Sequence, residues 1–286
     1  AHYQTFLYKN NDQHTAYRVG TLQEKKNPEE AKQTYTSNTI KYPSDYRNFV
    51  QLGILTEKSH KKALGYYQKA TALNDTLLWI WLKIGSLCDS IEDEEGKIVA
   101  YKKAITLSPQ NFEANKYLGM TLFDKGKADE GLLYLELARS KDATDPEIMY
   151  TLGKSYALKG NNTEAILSFK TAKKLQPNNV HIRYTLVNHL VIQKQYEESL
   201  KEVQELLKMK DKKEYFDLYI SILFKMKKYS TIEEAVALRR KQTPESIDLL
   251  MILARAQTEA TKYEDAIESY KLVSFIKEYA PGYYSR

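Results

Sequence analysis

Residues 78–179 read as three lines of equal length: LWIWLKIGSLCDSIEDEEGKIVAYKKAITLSPQN (78–111), FEANKYLGMTLFDKGKADEGLLYLELARSKDATD (112–145) and PEIMYTLGKSYALKGNNTEAILSFKTAKKLQPNN (146–179). Set beneath one another they place Ile84-Gly85, Leu118-Gly119 and Leu152-Gly153 in one column, and Leu186-Val187 continues it. A fixed period in the range of about 20 to 50 residues marks repeat architectures, in which one small unit is stacked many times. A second column, small in most lines, holds Ala31, Ala63, Lys97, Gly131, Ala165, Ser199, Ile232 and Ala266. Four residues further on, a third is aromatic or aliphatic: Tyr35, Tyr67, Tyr101, Leu135, Phe169, Val203, Val236 and Tyr270. Ala70, Ala104, Ala138 and Ala172 follow it, and Pro43, Asp75, Pro109, Pro177 and Pro244 close units.

Within one line the spacing is helical. Met149, Leu152, Gly153 and Tyr156 stand at i, i+3, i+4 and i+7, which places them on one face of a helix. Ala165, Phe169 and Ala172 give a second helix a matching stripe. In the turn between such helices, Gly126 and Gly160 suit the left-handed conformation that ends a helix, and Asn161 or Asn162 caps the next. Asn27-Pro28-Glu29-Glu30, Thr144-Asp145-Pro146-Glu147 and Thr243-Pro244-Glu245 each offer a cap, a proline in the first turn and an early acid. The small residues mark where two helices cross closely, because a large side chain there holds them apart.

This pattern resembles the tetratricopeptide repeat (TPR) family. Its motif is carried best by Trp81-Ile84-Gly85 with Tyr101-Ala104-Pro109, and by Leu152-Gly153-Tyr156 with Ala165-Phe169-Ala172-Pro177. The resemblance covers nearly the whole chain and implies an all-α, right-handed α-solenoid of about eight helix-turn-helix repeats. By register the solenoid spans 13–280, with units near 13–45, 46–77, 78–111, 112–145, 146–179, 180–212, 213–246 and 247–280. Residues 1–12 read as the end of a preceding helix and 281–286 as a tail. Units one, six and seven depart from the pattern. In unit seven Ile220, Ile232 and Arg239 stand where the family prefers small residues, so a looser helix crossing is expected there.

Composition narrows the function classes. The 286 residues are 28% charged with a formal net charge of +6, which favours a solvated surface before it favours nucleic acid. No run approaches the ~20 apolar residues of a membrane span, so no membrane insertion is expected. The N-terminus lacks the order of a signal peptide. A soluble protein, cytoplasmic or periplasmic, is expected; the chain opens on Ala1 and not Met, which suits the removal of an upstream signal or anchor. Cys88 is the single cysteine and lies on an apolar stripe, so it reads as packing and not as a reactive thiol. There is no phosphate-binding loop, no H-E-x-x-H helix and no glycine-rich dinucleotide turn. His181 and His189 are eight apart, too far for an i, i+4 metal pair, and the acidic run Asp89 to Glu95 lacks the spacing of a calcium loop. The reading is therefore non-catalytic, with no catalytic residue, metal or cofactor.

In the family, the first helices of successive units line a concave groove that holds extended or helical segments of other proteins. Offsetting from the core stripe puts Trp79, Leu82, Ser86, Lys116, Met120, Tyr150, Lys154, Tyr184 and Asn188 on that face. Trp79, Lys116, Tyr150, Lys154, Tyr184 and Asn188 are the candidate partner-binding residues. Aromatics supply contact area with few rotors, and lysines meet carboxylates. The expected partner is another protein, through a peptide segment with apolar and acidic residues, in the service of complex assembly. Lys116, Tyr150, Lys154 and Asn188 do not reproduce the carboxylate clamp of TPR cochaperones. A basic succession runs through Lys208, Lys210, Lys212 and Lys213, then Lys225, Lys227 and Lys228, then Arg239, Arg240 and Lys241, interrupted by Asp211, Glu214, Glu233 and Glu234. The positions at which related pentatricopeptide solenoids read RNA hold Val50, Leu82, Lys116, Tyr150, Tyr184, Asp217 and Met251, which is no base-reading code; nucleic acid is not the expected partner. Two alternatives stand beside the scaffold reading. One is self-association through Val273, Phe275, Ile276, Tyr279, Tyr283 and Tyr284; the other is service as the TPR part of a larger enzyme or a secretion or assembly machine.

Overall fold

In a computed structural model that describes residues 12–279, the regular elements are sixteen α-helices, two for each of about eight repeats. The first eight are α1 (Gln13–Glu24), α2 (Pro28–Lys41), α3 (Tyr46–Leu55), α4 (His60–Leu73), α5 (Leu78–Ser90), α6 (Glu94–Leu107), α7 (Phe112–Asp124) and α8 (Ala128–Lys141). The rest are α9 (Pro146–Leu158), α10 (Asn162–Leu175), α11 (Val180–Ile192), α12 (Tyr196–Met209), α13 (Lys213–Lys225), α14 (Tyr229–Arg240), α15 (Ile247–Glu259) and α16 (Tyr263–Tyr279). The chain forms two compact units, Ala1–Lys159 and Gly160–Arg286, and within each unit a helix packs on the helices before and after it. Side-chain contacts between neighbouring hairpins reach across about one repeat. Gln51 Nε2 donates to the Tyr17 hydroxyl at 3.0 Å, 34 positions away. Lys213 Nζ donates to Asp248 at 2.6 Å, 35 positions away.

The repeating columns meet where the two helices of a hairpin cross. Gly20, Gly53 and Gly85 lie beneath the rings of Tyr35, Tyr67 and Tyr101, and a Cβ on them would stand 2.4, 2.7 and 2.6 Å from the nearest ring atom. Such distances leave room for a hydrogen and nothing more, which is why the column is glycine. Leu135 takes the ring's place over Gly119, where a Cβ would stand 2.7 Å from Leu135 Cγ. In the second unit the glycine column grows to Val187 and Ile220 while the ring column shrinks to Val203 and Val236, and all four are buried. The exchange keeps the crossing filled, as close packing requires.

The last hairpin corrects one expectation. Tyr270, in the ring column, is 41% exposed. Its crossing partner is Ala254, whose methyl occupies the space a glycine would leave open. The stripe of α16 is instead Ala266, Ser269, Val273 and Ile276, and the Ser269 hydroxyl donates to Gln257 Oε1 at 2.8 Å. Ala266 and Val273 keep their columns, and Ser269 is buried as Ser168 and Ala100 are at the same place in other hairpins, so the departure is confined to Tyr270. In the seventh hairpin Ile220 and Ile232 are buried, and Arg239 lies 4.3 Å over the Phe216 ring. Open clefts border this hairpin, one of about 670 Å³ against α12 and one of about 700 Å³ against α15.

Turns and caps follow the same period. Glu92, Gly126, Gly160, Lys194, Lys227 and Thr261 all have positive φ, between 56° and 76°, at matching places in six inter-helix turns. Glycine adopts this conformation freely, and the other four are held in it at a cost. Asp145 accepts from the amides of Glu147 and Ile148 at 2.9 and 3.1 Å, and Asn161 accepts from Glu164 at 3.4 Å. Thr243-Pro244-Glu245 does not open a helix. The cap of α15 is Ser246, whose Oγ accepts from the Leu249 amide at 3.4 Å, while the Pro244 carbonyl accepts from Arg240. Between hairpins, the fourth residue of a first helix reaches back six positions to a carbonyl of the turn: Trp81 to Asp75 at 2.7 Å, Asn115 to Pro109 at 2.9 Å, Arg183 to Pro177 at 3.1 Å.

Candidate partner-binding surface

With the stripes buried, the side chains that first helices hold away from the core form the candidate surface. In the first unit these helices are α1, α3, α5, α7 and α9. Trp79 is 47% exposed on α5, its ring edge-on to the buried Tyr67 at 6.2 Å between centroids. Leu82 is half-buried and Ser86 exposed on the same helix. On α9, Lys154 places its ammonium 4.3 Å over the Phe123 ring and 5.6 Å from that of Tyr150, so Tyr150 and Lys154 share one half-buried aromatic and cationic patch. A cation held over ring faces keeps its charge and loses rotamer freedom before any partner arrives.

Lys116 departs from its expected role. Its side chain is nearly buried, and its ammonium pairs at 2.7 Å with both Asp145 and Glu147. Burial alone lowers its pKa, yet the two carboxylates hold it above the ordinary lysine value. Its charge fastens α7 to the start of α9 and is not offered to a partner. The near neighbour Tyr117 stacks on Tyr101 at 5.7 Å.

In the second unit Tyr184 packs on Tyr215 at 5.4 Å, and Asn188 is half-buried on the same helix, α11. The offset that marks these two also marks Asp217 and Met251, and there the surface deepens into the 700 Å³ cleft. Phe224, Tyr229, Met251, Ile252 and Arg255 line it. Met251 is 42% exposed, and the Arg255 guanidinium lies 4.5 Å over the Phe224 ring. These residues were not among the six expected. Met251 and Arg255 fall on the first-helix offset of Tyr150 and Lys154, whereas Phe224, Ile252 and Tyr229, the last on the second helix α14, do not.

Other chemistry is sparse among the described residues. No group of three or more His, Cys, Asp or Glu side chains is placed to hold a metal ion. Cys88 is fully buried, and burial with the neighbouring Asp93 carboxylate pushes its thiol up to about 11. His189 packs its ring 4.7 Å from Phe169, with Nδ1 2.9 Å from the Thr185 carbonyl. Asp93, in the acidic run, caps α6 through the Gly96 amide at 2.9 Å, and Glu94 and Glu95 pair with Lys125. Among the described residues no helix is long and apolar enough to cross a membrane. On α16, Val273 and Ile276 point inward, against Leu250, and are unavailable for self-association; Phe275 is 57% exposed. Tyr283 and Tyr284, and the side chain of Tyr279, lie outside the described residues, as do most of segment 1–12 and the tail 281–286.

Residues 80–111 and 146–179 match the model of the tetratricopeptide repeat family. A TPR repeat-containing protein of Methanocaldococcus jannaschii is 25% identical over 213 residues, which are 74% of this chain and 33% of that protein. The BBSome complex member bbs-4 of Caenorhabditis elegans is 26% identical over 96 residues, 34% of this chain and 21% of that one. The chain thus spans a third or less of the length of these relatives. Among solved structures, the TPR protein YrrB, described as having an unusual peptide-binding site, superposes with a TM-score of 0.56 at 18% identity, over 63% of this chain and 94% of its own. A chain of the Naa15/Naa10 complex bound to HypK-THB gives 0.62 at 16% identity, over 93% of this chain and 42% of that one. At these identities the structural likeness is one of fold.

Proposed function

We propose that this chain, two segments of which match the tetratricopeptide repeat model, is a non-catalytic scaffold that holds a segment of another protein against its first-helix face. The observation that carries this reading is the exposure of large apolar side chains, Trp79 and Met251, on helices whose core stripes are already buried. A surface that leaves such groups in water gains by covering them, at about 25 cal/mol per Å² of apolar area. The preset cations Lys154 and Arg255, each lying over a ring, suit a segment that carries carboxylates between its apolar residues. YrrB, with the same fold, is described as binding peptide, which supports the reading by analogy only.

The test is a pull-down from native lysate comparing wild type with Tyr150→Ala/Lys154→Glu/Tyr184→Ala, once circular dichroism shows equal folding. A protein captured by wild type and lost with the variant is the expected result. Capture of the same set by both would remove this face as the binding site. A second reading, self-association, draws on the exposed Ile267, Tyr270 and Phe275 of α16. Light scattering that shows a monomer at high concentration would end it.

A further inference from the structure

The cleft of about 670 Å³ beside the seventh hairpin lies on the other side of the second unit, between the second helices α12 and α14, with α13 as its floor. Leu207, Phe216, Tyr219, Ala235 and Leu238 give it an apolar lining. Leu238, 67% exposed, stands at its edge. The volume falls in the range of cavities that take up several side chains of a ligand. Beside the cleft, Ile220, Ile232 and Arg239 fill positions that most other hairpins give to small residues.

The lining of this cleft is balanced, Lys208 and Arg239 against Asp211 and Glu234, and a cationic excess lies in the chain segments that adjoin it. The C-terminal ends of α12 and α14 lie side by side there, tied by Arg239 to Asp211 at 2.9 Å. Segments 207–213 and 238–242 together hold seven cations (Lys208, Lys210, Lys212, Lys213, Arg239, Arg240, Lys241) and one carboxylate, Asp211. Two helix C-termini, at about half a negative charge each, balance roughly one cation. Lys208 pairs with Glu205, and Lys213 with Asp248. Lys210, Lys212 and Lys241 take part in no ion pair among the described residues. The excess is local, on a chain whose net charge is only +6.

We propose that this cleft is a second docking site, separate from the first-helix face, for an acidic amphipathic helix of another protein: apolar side chains enter between α12 and α14, and carboxylates meet Lys210, Lys212 and Lys241. Charge complementarity selects the occupant. The shape argues against the other anionic classes. A recess takes side chains in and does not insert into a bilayer, and the Phe216 face that a base would stack on is already covered by Arg239. The proposal does not rest on the inner-face reading and survives its failure.

The probe is a labelled 18-residue peptide with Leu at i, i+3, i+4 and i+7 and Glu between, titrated with the full chain by fluorescence anisotropy. Saturable binding is expected, weakening as salt rises. Leu238→Ser, and separately Lys210→Glu/Lys241→Glu, each reduce affinity about tenfold or more. All three residues are exposed, so these variants fold, as a thermal melt verifies. Leu133→Ser, at an exposed apolar residue of α8 outside both surfaces, leaves binding unchanged. The idea is overturned by any of four results: no saturable binding, affinity in the cleft variants equal to wild type, a like loss with Leu133→Ser, or stronger binding of a 20-nucleotide RNA or of phosphatidylserine vesicles than of the peptide.

Discussion

Two residues illustrate how a repeat position becomes a measurable energy. Thr261 holds φ at 61° in the last inter-helix turn, where Gly126 and Gly160 sit at 76° and 75°. A β-branched residue in the left-handed region is strained by about 1 kcal/mol or more. Thr261→Gly relieves that strain and returns part of it as unfolded-chain entropy. A net gain of about 0.5–1 kcal/mol in urea denaturation is expected, and a loss would show that the turn is held by something other than backbone preference. Cys88 gives a pH signature. Its thiol, pushed up to about 11 by burial and by Asp93, titrates near 9 when unfolded. The folded value is the higher one, so this contribution to stability is complete below about pH 9 and is lost as pH rises towards 11. At pH 8 a disulfide reagent should react slowly with the native chain, at a rate that follows the urea unfolding curve. Prompt reaction without urea would place the thiol at the surface.

At the scale of the hairpin, the exchange between glycine and ring columns is a coupling that can be measured. Gly85→Val should destabilise by about 1–3 kcal/mol through collision with Tyr101, and Tyr101→Val by about 2–4 kcal/mol through the cavity it leaves. The double variant reproduces the Val187 and Val203 pair of the sixth hairpin. It should be more stable than the sum of the singles by at least about 1 kcal/mol; strict additivity would mean the two columns do not share one crossing. This is also the scale at which the fold was legible in advance. The three aligned lines around Gly85, Gly119 and Gly153 disclose helices, turns and crossing points, because each unit restates the same local requirements. Lys116 and Tyr270 were not legible. The role of Lys116 is fixed by carboxylates 29 and 31 positions later, and the exposure of Tyr270 accompanies an alanine, Ala254, in the glycine column. Periodicity averages over such particulars. The cleft lined by Phe224, Met251 and Arg255 escaped for the opposite reason, since it lies where the columns are least regular.

Within each unit, hairpins that pack on their sequence neighbours have a stability profile and not a single value. Hairpins three and four, with Gly85 under Tyr101 and Gly119 under Leu135, should be the slowest to exchange amide hydrogens. The seventh, bordered by clefts of about 670 and 700 Å³, should be the fastest interior one. Hydrogen-exchange mass spectrometry is expected to show α14 amides exchanging about tenfold faster than those of α8 or more, and uniform protection would contradict the packing argument.

The reach of the side-chain contacts has a consequence for how the chain comes to be folded. Gln51 finds Tyr17 at 34 positions and Lys213 finds Asp248 at 35, so loops of about one period must close. Closure entropy grows only with the logarithm of loop length, and topologies dominated by near neighbours are the rapid folders. On the ribosome, each hairpin has its docking surface ready as soon as the preceding one has emerged, and the chain can fold in the order in which it is made.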